Sequence, residues 1–204
     1  MRRTLIAAVL GFCFLALPQG ATAQTIIDTR NGPVDTKWAS GSEVVGQTFI
    51  APADNLMAAG SLWFGSNSTG YFTAILQEYF YGNDEYFVGP RLWESGPQVV
   101  LGRGPSRFDF DIGGVSLTPG RRYAFYAYSP LADITAWTSA ATGTSAPGFA
   151  ILGSSLDQVS AYGYDEAFVG TFVNVNATPE PTSLLLLATG VLGVGFAARR
   201  RRNA

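Results

Sequence analysis

Three places in this chain of 204 residues set carboxylates side by side: Asp84 with Glu85, Asp109 with Asp111, and Asp165 with Glu166. Paired carboxylates can run acid–base hydrolysis of a glycosidic bond when they stand about 5–10 Å apart. Clustered oxygens can also begin a calcium site. The spacing specifies neither. Asp109 and Asp111 alternate with Phe108, Phe110 and Ile112 and share their face with Arg107, the pattern of a solvated, charged strand face. Positions 24–178 hold fourteen acidic residues, so some pair meets the hydrolase spacing by chance. No catalytic residue is assigned on that basis. The chain has no histidine, and its one cysteine is Cys13. Ser-His-Asp and Cys-His nucleophiles and His/Cys metal sites are therefore excluded. An enzyme would have to use carboxylates, Ser/Lys or Tyr. No metal and no cofactor is expected.

Aromatic side chains offer a second chemistry, because the C–H face of a pyranose packs on a π surface. Core packing is the ordinary fate of a single aromatic such as Trp38, Trp63, Trp93 or Trp137. The run Tyr79-Phe80-Tyr81, followed by Tyr86-Phe87, differs. Consecutive residues of a strand point to alternate faces, so at least one of Tyr79, Phe80 and Tyr81 leaves the inner face, unless a second sheet covers the other one. Tyr79, Tyr81 and Tyr86 are the candidate glycan contacts.

Both ends carry addresses. Arg2 and Arg3 precede an apolar run over 5–17, broken by Pro18 and Gly20. Ala21 and Ala23 then stand at −3 and −1 of a signal-peptidase site, which predicts cleavage after Ala23. At the other end, Pro179-Glu180-Pro181 leads into an apolar stretch over about 183–198, followed by Arg199, Arg200, Arg201 and Arg202. As a helix, that stretch is about 24 Å long at roughly 1.5 Å per residue, slightly under the hydrocarbon thickness. Snorkelling arginines cover the shortfall. The four arginines form a membrane stop that holds this end in the cytoplasm and leaves the body outside.

The order Pro179-Glu180-Pro181-Thr182-Ser183-Leu184-Leu185-Leu186-Leu187, then a Gly-rich apolar span, then an Arg cluster, resembles the PEP-CTERM sorting signal over 178–204. That family belongs to Gram-negative bacteria that make extracellular polysaccharide. The resemblance implies a precursor held transiently at the inner membrane and processed near the Pro-Glu-Pro by exosortase, an integral-membrane protease. The body would then move to the cell surface or matrix.

The elements between the addresses read as strands. Positions 43–51, 57–64, 71–81, 91–94, 98–101, 107–112, 121–128, 132–137, 149–152 and 168–175 are rich in aromatic and β-branched residues, and turn-forming clusters divide them. Thr118-Pro119-Gly120 has Pro and Gly where a type II turn places them. Positions 139–148 read as a surface loop. No stretch keeps a helical apolar period. The expectation is all-β: nine to eleven strands in a two-layer, jelly-roll-like β-sandwich over 24–177, between a signal peptide over 1–23 and the sorting segment over 178–204. Gly46-Gln47-Thr48-Phe49-x-Ala51-Pro52, Gly89-x-Arg91-Leu92-Trp93-x-Ser95 and Val115-x-Leu117-x-Pro119-Gly120-x-x-Tyr123-x-Phe125 are similar to sandwich domains of PEP-CTERM proteins and to carbohydrate-module sandwiches, which implies a fold and a surface role.

Charge narrows the partners. The whole chain has a formal charge of −2, yet six of its arginines sit in the two addresses. Positions 24–178 carry seven basic residues against fourteen acidic ones, a net charge of −7. Such a body does not attract nucleic acid. The expected partners are the exosortase-type protease, the inner membrane for a time, and extracellular polysaccharide. The leading expectation is a non-enzymatic surface or biofilm-matrix protein. A polysaccharide hydrolase with paired carboxylates and a purely structural surface protein are the alternatives.

Overall fold

The computed structural model describes residues 24–30, 34–82, 85–102, 104–130, 134–139, 148–156, 158–163 and 165–174, together with Gly190. The expected signal peptide, sorting motif and membrane span lie outside these residues. Among the described residues no helix is long and apolar enough to cross a membrane. Residues Gln24–Asn174 form one compact unit.

That unit is built from strands: β1 (Gln24–Asp28), β2 (Val34–Ser42), β3 (Val44–Ile50), β4 (Leu56–Ser66), β5 (Gly70–Gly82), β6 (Glu85–Glu94), β7 (Gln98–Val100), β8 (Ser106–Ser116), β9 (Arg122–Tyr128), β10 (Ile134–Ser139), β11 (Ala150–Ser155), β12 (Gln158–Tyr162) and β13 (Phe168–Val173). These thirteen exceed the nine to eleven expected. The additions are β1, β2 and β12, which are short or rich in Gly, Ser and Thr and show little apolar alternation.

Every pairing is antiparallel. The first sheet runs β1-β13-β4-β10-β2, with β8 on the other edge of β4. Along one edge β4 serves two neighbours in succession, β13 over Leu56–Leu62 and β10 over Phe64–Ser66. The second sheet runs β12-β11-β3-β9-β5-β6, with β7 beside the start of β5.

The sheets meet through aromatic rings. Phe49 of β3 stacks on Phe168 of β13 at 5.5 Å, and Phe72 of β5 meets Phe64 of β4 edge-on at 4.7 Å. Phe125 of β9 reaches both Phe168, at 6.0 Å, and Phe110 of β8, at 5.7 Å. Gly60 leaves space for Phe125: a Cβ there would stand 2.8 Å from its ring. Offset and edge-on rings pack well, and their burial drives the layers together. The alternation in β8 holds as read, with Phe110 and Ile112 buried and Arg107, Asp109 and Asp111 exposed. The turn before β9 is also as read: Arg121 N–H donates to the Thr118 carbonyl at 3.1 Å, and Gly120 has φ +78°.

A second apolar cluster lies on the far face of the second sheet. It holds Val44, Ile75, Tyr79, Ala124, Tyr126, Ile151 and Val159, all buried. Neighbouring residues Ala74, Leu76 and Phe125 point the other way, into the core between the sheets.

Candidate functional site

The expected glycan contacts fall on the β5–β6 pair. Tyr81 and Tyr86 are Cα partners there, and Tyr79 pairs with Val88. The side chains of Tyr81 and Tyr86 lie outside the described residues. Tyr79 requires a correction, since it is only 3% exposed. Its ring meets Phe149 edge-on at 5.7 Å within the second cluster. A sealed ring offers no face to a sugar. Strand alternation does take Tyr79 away from the inner face, but that far face is itself covered. Phe80, the neighbour of Tyr79 in the run, is 43% exposed. Ala21, Ala23, Pro179, Glu180, Pro181 and Arg199 to Arg202 lie outside the described residues.

The structure assembles a different group on the outer face of the first sheet. Leu62 and Phe64 point into the core, so Ser61 and Trp63 of β4 point out. Register sets Trp63 opposite Arg107 of β8, and Ser61 opposite Asp109. Asp109 Oδ1 accepts from Ser61 Oγ at 2.6 Å and from Arg107 Nε at 2.7 Å. The Arg107 guanidinium stands 5.1 Å from the centroid of the Trp63 ring. Arg30, just past β1, brings a second guanidinium to 4.5 Å from the same centroid. Asp28 fixes Arg30 through Nε at 2.8 Å, Nη2 at 2.6 Å and the backbone N–H at 2.9 Å. Guanidinium–indole contacts of this kind are worth about 0.5–1 kcal/mol at exposed sites.

The charges on this face stay ionised. The hydrogen bond from Arg30 holds the Asp28 carboxyl below the usual carboxylate range, against the opposing pull of partial burial. Burial pushes Asp109 upward, but hydrogen bonds from Ser61 and Arg107 outweigh it and leave this carboxyl lowered as well. A carboxyl held in its charged form is unsuited to be the acid of a hydrolase, which needs a raised pKa. Sequence reasoning placed Arg107 and Asp109 on one strand face but did not bring Trp63 to them. It missed Arg30, whose arrival depends on β1 pairing with β13.

Asp165 and Glu166, read as loop carboxylates that could help bind calcium, are buried. Asp165 Oδ1 accepts from Gln47 Nε2 at 2.8 Å, and the Glu166 backbone N–H donates to Gln47 Oε1 at 2.8 Å. Glu166 Oε1 accepts the Trp137 backbone N–H at 3.1 Å. Thr29 Oγ1 donates to the Glu166 carbonyl at 2.5 Å and accepts from Phe168 N–H at 2.9 Å. Gln47 belongs to the second sheet, Trp137 and Phe168 to the first, and Thr29, Asp165 and Glu166 to segments flanking first-sheet strands, so this network joins the layers. Buried polar groups satisfied in this way fix one arrangement. Among the described residues, no group of three or more His, Cys, Asp or Glu could hold a metal ion.

Among known families, residues 177–202 fit the PEP-CTERM protein-sorting motif. Comparison with curated proteins and with solved structures finds no match.

Proposed function

We propose, for a chain that carries a PEP-CTERM sorting motif at residues 177–202, a non-catalytic role at the bacterial surface in association with an exopolysaccharide or biofilm matrix. The motif implies export, a membrane-anchored precursor and processing by exosortase. The motif is the observation that carries this reading. In the proposed sequence of events, the signal peptide is removed after Ala23. The apolar segment at about 183–198 spans the inner membrane with its arginines in the cytoplasm. The protease recognises Pro179-Glu180-Pro181, and the body, a jelly-roll-like sandwich, is released to the surface or matrix. Two features of the body support a non-catalytic role. Its carboxylates at Asp28 and Asp109 are committed to arginines, and Asp165 is committed to a buried amide.

Intact-mass measurement of the protein from membrane, surface and medium fractions tests the reading. The expected surface species begins at Gln24 and ends near Pro179–Pro181. A full C-terminus through Ala204, found only in the inner membrane, overturns it and reduces the tail to a permanent anchor.

A further inference from the structure

We infer that the outer face of the first sheet around Arg30, Trp63 and Arg107 binds a neutral polysaccharide rather than an acidic one. This rests on the matrix-association reading above and names the ligand class and the site.

The hydrogen-bond inventory of this face leaves capacity on both sides of the indole. Arg30 uses Nε and Nη2 on Asp28. Arg107 uses Nε on Asp109, with Nη2 reaching Ser61 at 3.5 Å. The Nη1 groups of both arginines donate to no described residue, and Asp109 Oδ2 accepts from none. The pairs are solvent-facing: Arg107 and Asp109 have side chains 54% and 61% exposed. Each guanidinium thus offers free donors beside a carboxylate that accepts. A sugar hydroxyl both donates and accepts, and neighbouring hydroxyls on a ring ask for donor and acceptor together. Two Arg–Asp pairs flanking a half-buried indole supply that combination, and the indole adds apolar surface for ring C–H groups.

Charge selects the class of glycan. Two guanidiniums and two carboxylates cancel, so the site gives an anion no net attraction. The body's net charge of −7 opposes a polyanion at any distance within the Debye length. A neutral chain meets no such penalty and uses every donor and acceptor on the face.

The test uses the protein in the form that the cell accumulates, run by affinity electrophoresis through gels containing hydroxyethyl cellulose, galactomannan, dextran or alginate. At least one neutral polymer should retard it, with little dependence on salt. The double variant Arg30→Gln/Arg107→Gln should weaken that retardation about tenfold through loss of charge-assisted donors, with an unchanged near-ultraviolet dichroism spectrum. Arg121→Gln, in the turn that leads into β9 of the other sheet, should behave as wild type. Retardation by no neutral polymer, retardation by alginate that salt abolishes, or a double variant indistinguishable from wild type each overturns the inference. The sorting reading fails separately, on C-terminal mass. A trimmed protein that ignores neutral glycans sinks only the site, and an untrimmed one that binds them sinks only the sorting.

Discussion

Thr135 holds a polar atom that the fold leaves unserved. Among the described residues its buried Oγ1 has no hydrogen-bond partner, on the outward side of β10 next to Ile134 and Ala136, which enter the core. A buried hydroxyl with no partner keeps its full desolvation penalty. Thr135→Val replaces that hydroxyl with a methyl of similar size and should raise stability by roughly 1 kcal/mol. Urea unfolding measures this, and a loss of stability would show that the hydroxyl has a role. Tyr126 shows the opposite arrangement. Its phenol donates to Gln77 Oε1 in the second cluster. Burial pushes its pKa up to about 12, with Arg91 pulling down and Glu94 pushing up more weakly. The folded pKa is above the unfolded value near 10, so the neutral phenol's contribution is whole below pH ~10 and is lost as pH rises toward ~12. Stability measured across that range should fall in the wild type and fall less in Tyr126→Phe. Equal declines would place the alkaline sensitivity elsewhere.

At the scale of elements, β3 tolerates little change at its centre. It lies between β9 and β11, and Gly46 stands opposite Tyr126. A Cβ at Gly46 would collide with Tyr126 Cβ and the Phe125 carbonyl, and backbone in a central strand cannot yield. Gly46→Ala should cost roughly 3 kcal/mol or more, whereas Gly163→Ala, with open space around it, should be close to neutral. Comparable denaturation midpoints for the two variants would refute the close approach. The same strand shows what a sequence can carry. Its apolar residues marked it as a strand, and Pro52 marked its end. The alternation in β8 and the Thr118-Pro119-Gly120 turn were equally legible, because each depends on near neighbours. The β1 segment QTIID and the β2 segment VDTKWASGS gave no such signal, since their place depends on partners more than a hundred residues or some ninety residues away: β1 pairs with β13, and β2 with β10. The surface group has the same origin. Arg30 and Arg107 reach Trp63 only through strand pairing, and the sealing of Tyr79 depends on Phe149, seventy positions on.

For the whole molecule, the proposed function makes the addresses and the body separable. Deleting residues 184–202 should send the body to the periplasm with its C-terminus untrimmed, as fractionation and mass would show. Retention of that variant in the membrane would reveal a second anchor. One feature of the first sheet then gains a mechanical meaning. Gln24 stands opposite Val173, and β13 is paired along both edges, with β1 on one side and β4 on the other. Any tension in the tail enters the body through the end of β13. A strand pulled along its own axis between two neighbours loads both hydrogen-bond ladders in shear, all rungs together, rather than peeling them one by one. Drag on a tethered copy is therefore carried by the strongest loading geometry that an antiparallel sheet offers.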